Sequence, residues 1–153
     1  MIFISHRGNI NGKNELEENK PEYIIEAINK GYDCEIDLWV EDNNLFLGHD
    51  LPQYEIAPFF LEKYSGSLWV HCKNIAAIEE LKRIENDNNK KDINYFFHNT
   101  DDLTLTSQGY IWKYPGVDHI NCSINVMPEI NNESIQNCLG VCSDFISRYK
   151  NNN

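Results

Sequence analysis

Asp33-Cys34-Glu35-Ile36-Asp37-Leu38-Trp39-Val40 is the stretch on which the fold turns. Side chains alternate across a strand, so Cys34, Ile36 and Leu38 share one face while Glu35, Asp37 and Trp39 share the other. The first face reads as core and the second as a surface with work to do. Immediately upstream, Tyr23, Ile24, Ala27 and Ile28 recur at helical spacing. Asn19 is the expected N-cap, Pro21 sits near the first turn, and Gly31 stands where a C′ glycine belongs. Before that helix, Ile2-Phe3-Ile4 is a short apolar run. Strand, helix, strand in this order is the α/β signature.

The pattern continues downstream. Leu45-Phe46-Leu47 ends at Gly48-His49-Asp50, and Leu68-Trp69-Val70 ends at His71-Cys72-Lys73, after which Asn74 caps a helix to about Glu85. A polar connector over 86–92 leads to Tyr95-Phe96-Phe97, which ends at His98. Tyr110-Ile111-Trp112, residues 120–126 and Gly140-Val141-Cys142 are later strands, and Ser143-Asp144 opens a final amphipathic turn carrying Phe145, Ile146 and Tyr149. The expectation is one α/β domain over 1–149 with a loose tail at 150–153.

Composition narrows the function. The 153 residues carry 13 Lys plus Arg against 24 Asp plus Glu, a net charge of −11, and no basic cluster exceeds Lys90-Lys91. A nucleic-acid partner is therefore not expected. With 41% apolar and 12% aromatic residues the chain has material for a packed core. No apolar run approaches the roughly 18 residues of a membrane span. Met1 to Ile4 lacks the features of a signal peptide, so the mature chain is expected to begin there. Five scattered cysteines without a C-x-x-C pair fit reduced thiols in a cytoplasmic protein and do not fit a zinc ribbon.

His6, His49, His71 and His98 each stand at or just beyond the C-terminal end of an apolar run. In parallel α/β folds ligands bind beyond those ends, where side chains from separate strands converge. Glu35 and Asp37 on one face repel each other unless they share a cation, take up a proton or face water, and a divalent metal suits such oxygen ligands. Arg7 adjoins His6, and Lys73 shares a face with His71. An arginine and a lysine provide the charge for an anionic substrate. Metal, cations and two histidines together suit phosphoryl transfer with proton management.

Ile4-Ser5-His6-Arg7-Gly8, Glu18-Asn19, Gly31 to Asp37 and Gly48-His49-Asp50, in this order, resemble the glycerophosphodiester phosphodiesterase family of phospholipase C-like barrels. The resemblance covers about the first third of the chain, and Val141 to Asp144 is similar to that family's last barrel strand. It implies that His6 and His49 are an acid/base pair, Arg7 and Lys73 bind phosphate, and Glu35 and Asp37 bind metal. His71 occupies the place of a third carboxylate ligand, which leaves Mg²⁺, Ca²⁺, Mn²⁺ and Zn²⁺ all open while favouring the softer ions. Lys20 replaces a threonine of the pattern.

A (β/α)₈ barrel usually takes about 250 residues. The expected fold is therefore an abbreviated TIM-type barrel with some outer helices reduced to loops. The expected activity is metal-dependent cleavage of a glycerol- or sugar-linked phosphodiester, a small-molecule substrate. The alternatives are a catalytically decayed domain that binds phosphorylated sugars or glycans, and a zinc site for some other hydrolysis.

Overall fold

A computed structural model describes residues 1–88 and 93–151. The strands are β1 (Ile2–His6), β2 (Asp33–Glu41), β3 (Asn44–Leu47), β4 (Tyr54–Ile56), β5 (Leu68–Cys72), β6 (Asn94–Phe96), β7 (Leu103–Leu105), β8 (Ile111–Lys113), β9 (Ser123–Val126) and β10 (Gly140–Ser143). The helices are α1 (Pro21–Asn29), α2 (Pro58–Tyr64), α3 (Ile75–Asn88) and α4 (Ile146–Asn151). Most of the expected 86–92 connector, including Lys90-Lys91, lies outside the described residues, as do residues 152–153. Asn86 to Asn88 extend α3, and Lys150 with Asn151 ends α4.

All ten strands belong to one mixed sheet, curled into a half-barrel. Along the curl, β6, β5, β2, β1, β10, β9 and β8 run parallel, and β7 adds antiparallel to β8. The nine-residue β2 takes β5 along one edge, while β1 and then antiparallel β3 share the other. Among the described residues no ladder joins β6 to β7 or β8. The ends approach only through single contacts, such as the Ser107 N–H donating to the Tyr95 carbonyl at 2.7 Å.

This corrects the expected abbreviated TIM-type barrel. Helices alternate with strands only as far as β6, and from β6 to β10 no α-helix intervenes among the described residues. The cause is connection length. A parallel neighbour needs a crossover of about a dozen residues, whereas a two-residue turn can only make an antiparallel one. Asp42 and Asn43 both take left-handed conformations (φ 48° and 64°) and fold β3 back onto β2. Thr106 to Tyr110 does the same for β7 and β8.

The two faces of the sheet are covered differently. Cys34, Ile36, Leu38, Val70 and Cys72 pack outward against Ile24 of α1, Leu61 of α2 and Ala77 and Leu81 of α3. Asn74 caps α3 by accepting from the Ala77 N–H, and its amide also bridges both backbone groups of Val40. Behind β1 and β10, Ile146 of α4 packs with Val141, Ala27 and Ile10. Behind β8 and β9 the cover is a loop held by polar contacts. Lys113, 1% exposed, donates to Glu133 at 2.6 Å, and Glu133 also accepts from the Gly116 N–H. No described helix is long and apolar enough to cross a membrane.

Candidate functional site

The concave face changes chemistry in steps of two residues, because every second side chain of a strand points inward. Ile4, Trp69, Phe96, Trp112, Ile124, Val126 and Cys142 form an apolar floor. One inward step further along the same strands stand His6, His71, His98, Tyr114 and Asp144. The result is a pocket of about 270 Å³ at the strand C-terminal ends, whose lining includes His6, Arg7, Glu35, His49, His71 and Lys73.

Asp37, fully buried, is the hub of the charged side. Arg7 Nε lies 2.9 Å from Oδ2, His71 Nδ1 3.0 Å and Lys73 Nζ 3.4 Å from Oδ1. Asn19 completes the cage. Its amide donates to Oδ2 at 2.9 Å and accepts from the Asp37 backbone N–H at 3.0 Å. Asn19 was the expected N-cap of α1, but Lys20 holds that position without a side-chain cap. The amide is committed to Asp37 instead. Burial alone would raise the Asp37 pKa, yet the hydrogen bond from His71 and the charges of Arg7, His71 and Lys73 drive it far below the usual carboxylate range.

Backbone conformation collects at the same place. Arg7 and Asn19 are left-handed, with φ 55° and 63°. Gly8 follows at φ 93°, where a Cβ would meet the Tyr23 ring at 2.6 Å, so only glycine lets the chain turn from β1 over that ring. Arg7 also reaches Glu18 at 3.2 Å, and Asn9 ties Glu18 to Asp144.

Glu35, Asp37 and His71 are a possible metal site, with one ligating atom from each lying within 4.8 Å of the others. The fit rests on more than proximity. Glu35 Oε2 is buried and has no hydrogen-bond partner, a costly condition that a cation would relieve. Burial and the neighbouring Asp37 raise the Glu35 pKa, while His6, Arg7 and His71 pull it down. Two carboxylates and an imidazole make a mixed oxygen–nitrogen donor set.

The two histidines expected to move protons differ in support. His6 Nδ1 donates to Asp144 Oδ1 at 2.8 Å, which fixes the ring and leaves Nε2 facing Glu35 Oε2 at 3.9 Å. Burial lowers its pKa, but the Asp144 hydrogen bond and the Glu35 charge carry it above the ordinary value. His49 follows Gly48, whose Cβ would collide with the Leu51 carbonyl at 2.2 Å. Its side chain is 43% exposed and lies 2.6 Å from Asp50. Burial, then the charge of Arg7, lowers its pKa.

Opposite these groups the pocket is lined by Phe97, His98, Asn99, Trp112, Tyr114, Val126 and Met127. His98 stacks on His71 and meets the Tyr114 ring at a tilt of 44°, with ring centroids 4.5 and 4.4 Å away. The Tyr114 hydroxyl, held protonated by burial and the Glu35 charge, is hydrogen-bonded to His98 Nε2. Burial and the nearby His71 push the His98 pKa down to about 4, so its ring is neutral at pH 7.

No protein-family model, curated protein or solved structure matches the chain. The site therefore stands on its own geometry. All seven residues singled out in the sequence come together, six lining the pocket and Asp37 beneath them. Sequence reasoning passed over Asp144, Asn9 and Tyr114, and gave His98 no role. Tyr114 had a signal, since it follows Trp112 by two on a strand that ends in the pocket. Asn9 had none.

Proposed function

We propose that the chain is a metal-dependent phosphodiesterase related to the glycerophosphodiester phosphodiesterase-like enzymes, acting on a small phosphodiester. One observation carries this reading. Two imidazoles, two cations and the Glu35 and His71 members of a carboxylate–imidazole triad line a single pocket of about 270 Å³, with Asp37 buried beneath. Each part has a bland explanation alone, but together they meet the needs of in-line displacement at phosphorus.

Glu35, Asp37 and His71 would hold the divalent cation. What such an ion supplies when bound is charge neutralisation and polarisation of a phosphoryl oxygen. Arg7 and Lys73 orient the phosphodiester anion and stabilise the charge that develops on its oxygens. One of His6 and His49 accepts a proton from the attacking hydroxyl, and the other returns one to the leaving alkoxide. Asp144 keeps His6 Nε2 turned towards the reacting groups. The attacking hydroxyl belongs to water or to the substrate itself, and the latter gives a cyclic phosphate.

A second reading has its own support. Arg7 Nε and Lys73 Nζ both sit on Asp37, so their charge is already partly satisfied within the protein. A non-catalytic domain that retains phosphorylated sugars or glycans would have this character. Turnover of an alkyl phosphodiester with Mg²⁺, Ca²⁺, Mn²⁺ or Zn²⁺ separates the two. His49→Ala is expected to slow it by about 10²-fold or more, the usual scale for lost acid/base assistance. Equal background rates for wild type and the His6→Ala/His49→Ala double variant would leave only the binding domain.

A further inference from the structure

The wall facing the charged groups plays no part in the proton and phosphate chemistry, yet it is built rather than incidental. Phe97, 39% exposed, and the tilted pair His98–Tyr114 offer aromatic surface. Trp112 closes the floor beneath them, 4.6 Å from Phe96 and 5.6 Å from Trp69 between ring centroids. Met127 adds its thioether from a left-handed backbone (φ 41°), held there by its N–H donating to the Cys142 carbonyl at 2.7 Å. A flexible apolar side chain fixed in a costly conformation at a pocket wall points to recognition.

Polar atoms are set into this surface. His98 Nδ1 is buried and has no hydrogen-bond partner, and Asn99 lines the pocket beside it. An acyl chain would leave those groups unpaired, at a cost in affinity. A glycerol unit has hydroxyls but no face to lay on a ring. The match is a saturated ring with an apolar C–H face and hydroxyls around its edge. The volume, about 270 Å³, lies at the small end of ligand pockets and suits a phosphate with one such ring.

We infer that Phe97, His98, Asn99, Tyr114 and Met127 form a subsite for a monosaccharide ring, which makes the substrate class a glycosyl phosphodiester. This rests on the phosphodiesterase reading for the position of the phosphate. The exposed Phe97 ring supplies stacking area, and the unpartnered Nδ1 of His98 gains a ring hydroxyl as its hydrogen-bond partner.

Calorimetric titration at fixed Mn²⁺ with phosphomonoesters tests the subsite without turnover. Inorganic phosphate, glycerol 3-phosphate, glucose 1-phosphate, adenosine 5′-monophosphate and dodecyl phosphate serve as probes. Glucose 1-phosphate is expected to bind about tenfold tighter than phosphate or glycerol 3-phosphate, a margin of about 1.4 kcal/mol. Phe97→Ala, on an exposed side chain, and Tyr114→Ala should each remove most of that margin while moving phosphate affinity by less than about twofold. Tyr114→Phe, which keeps the ring, should retain more of it. Equal affinity for glucose 1-phosphate and phosphate in the wild type would overturn the subsite and spare the phosphodiesterase reading. Tightest binding of the nucleotide or the dodecyl ester would reassign the wall to a base or an acyl chain and overturn it too. Absence of binding by every probe, phosphate included, would remove both the reading beneath and this inference.

Discussion

The two halves of the curled sheet are built on different principles. β1, β2 and β5 are backed by helices whose Ile24, Ala77 and Leu81 are fully buried; the C-terminal ends of β1 and β5 carry His6, Arg7, His71 and Lys73, abreast of Glu35 and Asp37 within β2. β8 and β9 have no α-helix behind them among the described residues, and together with β6, whose Tyr95 still packs on the α3 side, they present Phe97, His98, Tyr114 and Met127. The lesson concerns charge. Holding two carboxylates in a buried position requires neighbours that do not yield, and a helix-backed sheet supplies them. An aromatic wall needs no such rigidity. That half can shed its helices and rely on local polar staples.

Asp37→Ala is the harshest test of that contrast. Removing the carboxylate leaves Arg7, His71 and Lys73 without their shared partner, and the loss expected for a broken buried pair is about 3–5 kcal/mol in urea unfolding. A loss below about 1 kcal/mol would mean that the charged half is not rigidly held and that water already reaches it.

Glu133→Gln probes the other half, where it replaces the charged partner of buried Lys113. A loss of about 1–3 kcal/mol is expected, the scale for a weakened charge-assisted hydrogen bond. Its pH dependence has a definite sign. Burial would raise the Glu133 pKa, but the Gly116 N–H and Lys113 lower it below 4.5 in the folded protein. The unfolded chain then binds the proton more readily. The contribution is present above pH 4.5 and fades as pH falls through the lower folded value. Wild type should therefore lose more stability than Glu133→Gln between pH 5 and 3, measured by thermal melting in the same buffers. Parallel pH profiles would show that the staple carries no weight.

These contrasts also explain what the sequence made legible. Glu35 and Asp37 could be placed on one face because strand period is fixed, and His6, His71 and His98 could be grouped because the parallel strands β1, β5 and β6 end together, whereas His49 arrives from the end of antiparallel β3. Asp144 could not be paired with His6, because 138 positions separate them and only the β1–β10 ladder brings them side by side. The helix-backed half was readable as strand–helix–strand. The other half invited helices that its short connections cannot form. β7 was passed over although Leu103-Thr104-Leu105 alternates, because the strand is only three residues long and both leucines are exposed. α2 hid in Pro58-Phe59-Phe60-Leu61, an apolar run too short to show a helical period.

The smallest effect belongs to that edge. Leu105, 67% exposed, should accept lysine with a stability change within about 0.5 kcal/mol. Edge charge also discourages strand-to-strand association, so light scattering of concentrated samples should fall or stay level. A marked loss of stability would show that β7 is packed against something further.

Steady-state kinetics on an alkyl diester of glucose 1-phosphate tests the central claim most directly, because it asks whether reaction and recognition divide between the halves. His49→Ala is expected to lower kcat by about 10²-fold or more, while Phe97→Ala acts chiefly by raising KM, with a far smaller fall in kcat. A kcat for His49→Ala equal to wild type, or an equal collapse of kcat in Phe97→Ala, would contradict the account.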